Sequence, residues 1–260
     1  MKKYAHIMLA LAAFPVVSTA QTLEASIVTD WETVSYYGSV EETRKRIEAT
    51  VAYADAITSE YFGIPIEITY IDIPASESED TIANHTHVDF LLESLFDYRN
   101  SNSDHYYSDT TIMLTKRDLT RGTQNLGGVA YIGSVCTAKS LSITELADNG
   151  LDGETLAHEL AHVLGAVHDG ESPCQDTPSY GYLMSPNLHS GNFHPSQCTI
   201  DTIALHTQIF GNCLNEVNVG PAPITPTPRE ERGGGGGGSI SIFFLLMLIA
   251  VFPAQSTRTE

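Results

Sequence analysis

The chain has 260 residues, of which 42% are hydrophobic and 17% charged, a composition that is typical of a globular protein and excludes a disordered or fibrous chain over most of the length. It carries 32 acidic against 13 basic residues and has a formal net charge of -19. Because a nucleic-acid-binding protein needs basic residues to neutralise phosphates, we expect no nucleic-acid partner, and we expect anionic membrane surfaces to repel the chain.

Residues 1–20 have the pattern of a secretory signal peptide. Two lysines precede an apolar run at 7–17, and the small residues Ser-Thr-Ala follow at 18–20. This pattern predicts cleavage before Gln21 and export of the mature chain. A membrane anchor is the alternative interpretation, but the apolar run is too short to span a bilayer.

The hydrophobic periodicity of residues 21–217 predicts alternating strands and helices within a single domain. In chain order these are a strand at 24–29, a helix at 40–62, a strand at 66–73, a helix at 88–98, strands at 110–115 and 129–136, and a helix at 153–164. In the long helix, Ile47, Val51 and Ala54 recur at three- and four-residue steps. This order predicts an α/β (α+β) fold in which helices pack on a mixed, twisted sheet.

The helix predicted at 153–164 carries two histidines, His158 and His162, one turn apart on the same side. Their spacing suits two imidazole nitrogens that bind one zinc ion. Glu159 is offset by one residue, so it is not expected to be a ligand but lies beside the metal. From there its carboxylate can accept the proton of a zinc-bound water, which predicts a catalytic role.

Gly165 and His168 extend this motif. Glycine permits a left-handed backbone, so the chain can leave the helix and bring His168 back as a third ligand. Three neutral histidines leave a fourth position open for water, which is typical of a catalytic rather than a structural zinc site. The alternative, a core helix with histidines on its solvated face, does not explain Glu159 and Gly165 together.

The four cysteines are expected to form two disulfides, because the chain is predicted to be exported to an oxidising compartment. Their positions allow three pairings, and the spacing alone does not choose between them. A zinc site made of four thiolates is disfavoured, since no two cysteines have the C-x2-C spacing. The cysteines are Cys136, Cys174, Cys198 and Cys213.

Several motifs resemble those of one protease family. The string from His158 to His168, followed downstream by Met184 in Tyr-Leu-Met-Ser-Pro, resembles the zinc motif and Met-turn of the metzincins. Asp169 and Gly170 after the third histidine, and the segment 127–136 with the sequence GGVAYIGSVC, resemble the adamalysin or reprolysin branch. The chain is therefore identified as similar to reprolysin-like catalytic domains.

The resemblance extends over residues 23–216 and implies a domain with two lobes around an active-site cleft. The upper lobe would reach to about Leu164, and zinc would lie at the base of the cleft. An edge strand from Gly127 to Ile132 would line the cleft and bind extended substrate by β-addition. The substrate-binding residues implied by the resemblance are Gly127, Gly128, Val129 and Ala130.

The resemblance also implies the disulfides Cys136–Cys213 and Cys174–Cys198. It further implies a calcium site made of oxygen ligands, which calcium prefers. Ordinary surface acids in an acidic protein are an equally good interpretation of the same residues. The implied calcium ligands are Glu24, Asp109, the carbonyl of Cys213, and Glu216 or Asn215.

The leading hypothesis is a secreted, zinc-dependent endopeptidase that hydrolyses protein or peptide substrates as a monomer, with Glu159 as the general base for a zinc-bound water. The alternative is a non-catalytic secreted adhesion or binding module on the same scaffold. Degenerate members of that kind lose the glutamate or a ligand, whereas His158, Glu159, His162 and His168 are all present here.

The C-terminal part has a different composition. A linker rich in Pro, Thr and Gly is predicted at 218–238, and it ends in six glycines before a short hydrophobic segment at 239–260. This arrangement resembles the glycine-glycine sorting signals of Gram-negative bacteria. It implies a bacterial protein that contacts the membrane only transiently and reaches the cell surface or the medium.

Two other interpretations of the tail stay open. A glycolipid anchor signal also combines small residues with a short apolar tail. A retained transmembrane anchor is disfavoured, because the apolar stretch at 240–252 has only 13 residues.

Overall fold

The computed structural model describes residues 21–187 and 194–215 of the chain. The signal peptide predicted at 1–20, the linker predicted at 218–238 and the hydrophobic segment predicted at 239–260 lie outside the described residues and stay predictions. Within the described ranges, no helix is both long enough and apolar enough to cross a membrane.

The described residues form seven strands and six α-helices. The strands are β1 (Leu23–Val28), β2 (Ile66–Asp72), β3 (Thr110–Thr115), β4 (Leu119–Arg121), β5 (Gln124–Leu126), β6 (Gly128–Ala130) and β7 (Leu141–Glu145). The helices are α1 (Trp31–Tyr37), α2 (Val40–Phe62), α3 (Val88–Ser101), α4 (Ser103–Tyr106), α5 (Asp152–Val163) and α6 (Gln197–Phe210). Short 3-10 turns lie at Glu77–Glu79 and Asn212–Asn215.

Five strands form one mixed sheet in the order β2-β1-β3-β7-β6. β1, β2, β3 and β7 run parallel, whereas β6 pairs antiparallel with β7, with Val129 opposite Ile143. The central strand β3 is buried along its whole length, as expected for a parallel strand covered on both faces. β4 and β5 form a separate antiparallel hairpin. The predicted α/β fold with a mixed sheet is confirmed.

Successive residues of β3 enter two hydrophobic clusters, because side chains alternate between the faces of a strand. Ile112 and Leu114 belong to a cluster with residues of α2 and α5, whereas Met113 belongs to a cluster with residues of α3. Every residue of α5 except Thr155 is buried. The helix that carries the zinc motif is thus enclosed between the sheet and α2.

The longest helix, α2, has the predicted bounds. Its first turn is capped by the side chain of Ser39, which accepts a hydrogen bond from the backbone N–H of Glu42 at 3.1 Å. It ends at Gly63, whose φ of 68° is the left-handed conformation that glycine adopts without a steric penalty. The prediction of a helix at 40–62 is confirmed.

The strand predicted at 129–136 is wrong over most of its length. Only β6 is extended there, and it already begins at Gly128. Beyond it the chain turns, and Gly133 and Cys136 have φ values of 64° and 63°. These left-handed positions are incompatible with a continuous strand, so Cys136 lies in a turn rather than at a strand end.

The first described elements also differ from the predicted secondary structure. The first strand, predicted at 24–29, runs from Leu23 to Val28, and α1 begins at Trp31. Asp30 caps this helix by accepting a hydrogen bond from the backbone N–H of Thr33 at 2.8 Å, which ends the strand before Trp31. The short elements β4, β5, β7, α1 and α4 were not predicted, since three to seven residues hold too few periods to reveal an element, and the longer α6 was not predicted either.

Two disulfides join distant parts of the described chain, and no described cysteine is free. Cys136–Cys213 links the turn after β6 to the 3-10 turn after α6. Cys174–Cys198 links the loop after His168 to the first turn of α6. This is the pairing that the resemblance implies, out of the three that the spacing allows.

Candidate active site

The three histidines of the motif come together at the end of α5. His158 and His162 lie on α5, and the helix ends one residue after His162. Gly165 then adopts a φ of 109°, and a Cβ atom at this position would lie 2.4 Å from Cγ of His206 on α6. Only glycine fits this turn, which brings His168 back to the two helical histidines.

The candidate ligand nitrogens converge on one point. Nε2 of His162 and Nε2 of His168 are 3.2 Å apart. The ligand atoms of His158, His162 and His168 all lie within 4.8 Å of one another. Among the described residues, this is the only group of three or more histidines, cysteines or acids with ligand atoms so close together.

Hydrogen bonds orient two of the imidazole rings. Nδ1 of His158 contacts the carbonyl oxygen of Leu183 at 2.6 Å, and Nδ1 of His162 contacts that of Ala166 at 2.8 Å. A carbonyl oxygen only accepts, so each Nδ1 carries the proton and each Nε2 keeps a free lone pair. This is the tautomer that a metal-binding histidine requires.

The electrostatics of these histidines favour the neutral form. Burial, reinforced by the neighbouring His162, lowers the pKa of His158 to about 3. Burial likewise lowers the pKa of His162 to about 4. Neutral imidazoles at neutral pH, with Nε2 atoms that face one point, are the donor set that zinc takes. The site therefore fits a zinc ion bound by three histidines.

Glu159 lies beside this group. Its side chain is 5% exposed, and its Oε2 atom has no hydrogen-bond partner in the described part of the chain. Burial raises the pKa of Glu159 to about 8, and the charge of Arg121 on β4 opposes the shift. A buried carboxylate with raised proton affinity next to a metal site has the properties of a general base.

Met184 is fully buried in a tight turn that contacts His158. The turn is closed by the side chain of Ser185, whose hydroxyl donates to the carbonyl of Tyr182 at 2.7 Å. The carbonyl of Leu183 orients His158, and that of Met184 accepts a hydrogen bond from the backbone N–H of Asp169 at 2.9 Å. The turn thus contacts both His158 and Asp169, the residue after His168.

Asp169 joins the third ligand to α6. Its buried Oδ1 accepts hydrogen bonds from the hydroxyls of Ser196 at 2.7 Å and Thr199 at 3.4 Å. Ser196 is at the same time the N-cap of α6. In the sequence Asp169 marks a family resemblance, whereas in the structure it fixes the loop that carries His168.

The histidines and Glu159 lie at the base of a cleft with a volume of about 440 Å³. On one side the cleft is bordered by β6, which lies at the edge of the sheet, and on the other by Ser185 and Pro186 after the Met184 turn. The four residues assigned to substrate binding all line the cleft: Gly127, Gly128, Val129 and Ala130.

Some features of the cleft left no signal in the sequence. Arg121 lines the cleft from the hairpin β4–β5 and forms an ion pair with Asp89 at 2.9 Å. The carbonyls of Leu183 and Ala166 orient the ligands, but any residue type supplies a carbonyl. Only the fold could therefore identify these contacts.

The calcium site stays a prediction. Asp109 Oδ2 accepts a hydrogen bond from the backbone N–H of Glu24 at 2.9 Å, so these two residues are adjacent. Asp109 and Cys213 also border a second cavity of about 230 Å³, next to the buried Arg99. Glu216 lies outside the described residues.

The fold and the site together define a class of protein. A buried glutamate next to three converging histidines, at the base of a cleft with an open sheet edge, is the arrangement of a zinc metallopeptidase. The model of the family described as "Reprolysin (M12B) family zinc metalloprotease" matches residues 21–217. The chain belongs to the reprolysin family of zinc metalloproteases.

Relatives with curated descriptions agree with this family. A human protein, "A disintegrin and metalloproteinase with thrombospondin motifs 7", is 30% identical over 185 residues, which cover 66% of this chain and 11% of the relative. "A disintegrin and metalloproteinase with thrombospondin motifs 1" from Bombyx mori is 32% identical over 192 residues, covering 68% and 18%. The match thus spans less than a fifth of either relative. Both come from animals and give no support to a bacterial source.

A solved structure shares the fold alone. A chain from "Structure of a chaperone-substrate complex" aligns with a TM-score of 0.54 at 16% identity and covers 74% of this chain and 34% of its own length.

Proposed function

We propose that this chain is a secreted endopeptidase that cleaves protein substrates, with His158, His162 and His168 as zinc ligands and Glu159 as the general base. The observation that carries the proposal is the position of the buried Glu159 carboxylate beside three histidines whose ligand atoms lie within 4.8 Å of one another. Secretion is supported by the signal-peptide pattern of residues 1–20.

The three histidines would hold the metal. When bound, zinc supplies a Lewis acid for the scissile carbonyl and lowers the pKa of a water ligand to near 7. The hydrogen bonds from His158 to Leu183 and from His162 to Ala166 keep both rings in the ligand tautomer. These two ligands are therefore oriented before a metal binds.

Glu159 would move the proton. Its carboxylate takes a proton from the attacking water and then donates it to the leaving amine.

Substrate would bind in an extended conformation along β6. This strand lies at the edge of the sheet, so its free side can pair with the backbone of a peptide. Such pairing recognises the backbone of the peptide more than its side chains. It therefore favours unfolded or exposed segments of protein substrates. We expect the enzyme to act as a monomer.

The test compares the mature chain with its Glu159→Ala variant. We expect the variant to keep zinc, measured by elemental analysis, and its thermal midpoint, and to lose about 100-fold or more of kcat on a peptide library. Glu48→Ala, which removes an exposed glutamate of α2, is the matched control and keeps full activity. A Glu159→Ala variant with more than a few per cent of wild-type turnover would contradict the role of Glu159.

A further inference from the structure

Gly128 on β6 lies directly against the side chain of Glu159. A Cβ atom built on Gly128 would lie 2.7 Å from both Cγ and Oε1 of Glu159, and 2.9 Å from its Cδ. Carbon atoms in favourable contact are about 3.5–4.0 Å apart, so no side chain at Gly128 fits beside the glutamate in this position. The absence of a side chain at Gly128 therefore leaves the space that Glu159 occupies.

The neighbouring glycine provides a contrast within the same strand segment. A Cβ atom on Gly127 would lie 3.4 Å from Cγ2 of Thr155, which is an ordinary contact. Neither Gly127 nor Gly128 has a left-handed backbone, so alanine is compatible with the backbone at both positions. The two positions differ in that only Gly128 borders the Glu159 side chain.

The position of the Glu159 side chain depends on the space beside Gly128. The side chain is buried, and its Oε2 atom has no hydrogen-bond partner among the residues that the structure describes. The space beside Gly128 therefore determines where the carboxylate stands. A methyl group there would move the end of the glutamate side chain, because the side chain can rotate whereas the two backbones are fixed in the sheet and in α5.

We propose that Gly128 is a positioning residue for peptide hydrolysis, which keeps open the site of the Glu159 carboxylate beside the three histidines. This inference rests on the proposed role of Glu159 as the general base. It assigns Gly128 a role distinct from that of its backbone in substrate binding, since a side chain at this position would displace the general base rather than the peptide.

The competing explanation is that Gly128 lacks a side chain so that the substrate backbone can approach β6. The two explanations predict different measurements. Displacement of Glu159 lowers kcat and leaves substrate affinity unchanged, whereas a block to the substrate backbone weakens affinity whether or not Glu159 is present.

The first experiment measures kcat, KM, zinc content and the thermal midpoint of the mature Gly128→Ala variant. A misplacement of about 1 Å at a catalytic group can cost about 100-fold in rate, so we expect a loss of that size in kcat with zinc content, midpoint and KM close to wild type. In the matched variant Gly127→Ala, the new side chain does not contact Glu159. Its loss of kcat is therefore expected to be about ten times smaller than that of Gly128→Ala.

The second experiment removes the Glu159 side chain, which a side chain at position 128 would overlap. We expect a fluorescent peptide substrate to bind Gly128→Ala/Glu159→Ala and Glu159→Ala with Kd values within about threefold of each other. A tenfold weaker Kd in the double variant would overturn the proposal in favour of substrate approach. A Gly128→Ala variant with near-wild-type kcat, or one that loses zinc, would also overturn it. An active Glu159→Ala variant would instead refute the proposed function, so the two failures are distinguishable.

Discussion

The carbonyl oxygen of Leu183 lies 2.6 Å from Nδ1 of His158, although the two residues are far apart in the sequence. This contact joins the tight turn around Met184 to α5. It sets the tautomer of the first ligand from a backbone group, so the identity of residue 183 matters little for the contact. The turn thus orients His158 through its backbone conformation.

Removal of one zinc ligand should abolish metal binding. Loss of a residue that merely orients a ligand costs about 10–100-fold in metal affinity, so we expect His162→Ala to lose more than about 100-fold. Elemental analysis after dialysis should show zinc in the wild type and in His85→Ala, which removes an exposed histidine, but not in His162→Ala. A chelator should inhibit the wild type, and added zinc should restore activity. An active, zinc-free His162→Ala enzyme would contradict the ligand assignment.

Asp169 should contribute to the stability of the loop that carries His168. In Asp169→Ala, the buried hydroxyls of Ser196 and Thr199 lose their acceptor, at a cost of about 1–3 kcal/mol. Urea unfolding of the wild type and the variant measures this difference. Asp169→Asn keeps one acceptor oxygen and should cost less than Asp169→Ala. Equal stability of wild type and Asp169→Ala would show that the two hydrogen bonds do not stabilise the fold.

The buried His105 should make stability depend on pH. Burial lowers its pKa from 6.5 to about 4, although Asp72 and Asp104 oppose the shift. Between these two values the unfolded chain binds a proton that the folded chain does not, so the free energy of unfolding falls as the pH falls from 6.5 to 4. The contribution of His105 is complete above about pH 7.5, one unit above the unfolded pKa, and amounts to about 3 kcal/mol.

The variant His105→Gln isolates this contribution, because glutamine does not titrate. The free energy of unfolding of the wild type minus that of the variant should be constant above about pH 7.5 and should decrease towards pH 4. Buried His158 and His162 add a fall of the same sign to both proteins, so their effect cancels in the difference. A difference that does not change with pH would refute the prediction.

The disulfide Cys136–Cys213 should stabilise the domain by closing a long loop. Its cysteines are 77 residues apart, and in the chain-entropy model a loop of that size contributes about 4 kcal/mol, with measured values often lower. The variant Cys136→Ser/Cys213→Ser should unfold at lower urea concentration than the wild type. Peptide mapping without reduction tests the pairing directly, and a Cys136 peptide linked to Cys174 would contradict it.

The two ends of the chain should be removed during export. We predict that protein from the native host begins at Gln21, as expected after signal-peptide cleavage, and that it lacks the hydrophobic segment predicted at 239–260. Intact-mass analysis of that protein measures both ends. A mature chain that still ends at Glu260 would contradict the sorting-signal hypothesis, and a glycolipid attached near the glycines would favour the anchor signal.

The sequence by itself determined the zinc motif and much of the fold. His158, Glu159 and His162 are identified by spacing along one helix, and Gly165 by the turn that it permits, because each of these signals lies within a few residues. The bounds of α2 follow from its caps and its apolar period for the same reason. The turn at 133–136 escaped prediction, since its residues are apolar enough to resemble a continuing strand.

Only the tertiary structure decided which groups surround the motif. The Leu183 carbonyl on His158, the Ser196 hydroxyl on Asp169 and the approach of Gly128 to Glu159 each join separate elements of the fold. Such contacts depend on the packing of α5 against the sheet and on the path of the loops. Backbone carbonyls and a missing side chain carry no signature in the residue types themselves. The sequence therefore specifies the proposed ligands, while the packing orients them and determines where the Glu159 side chain can lie.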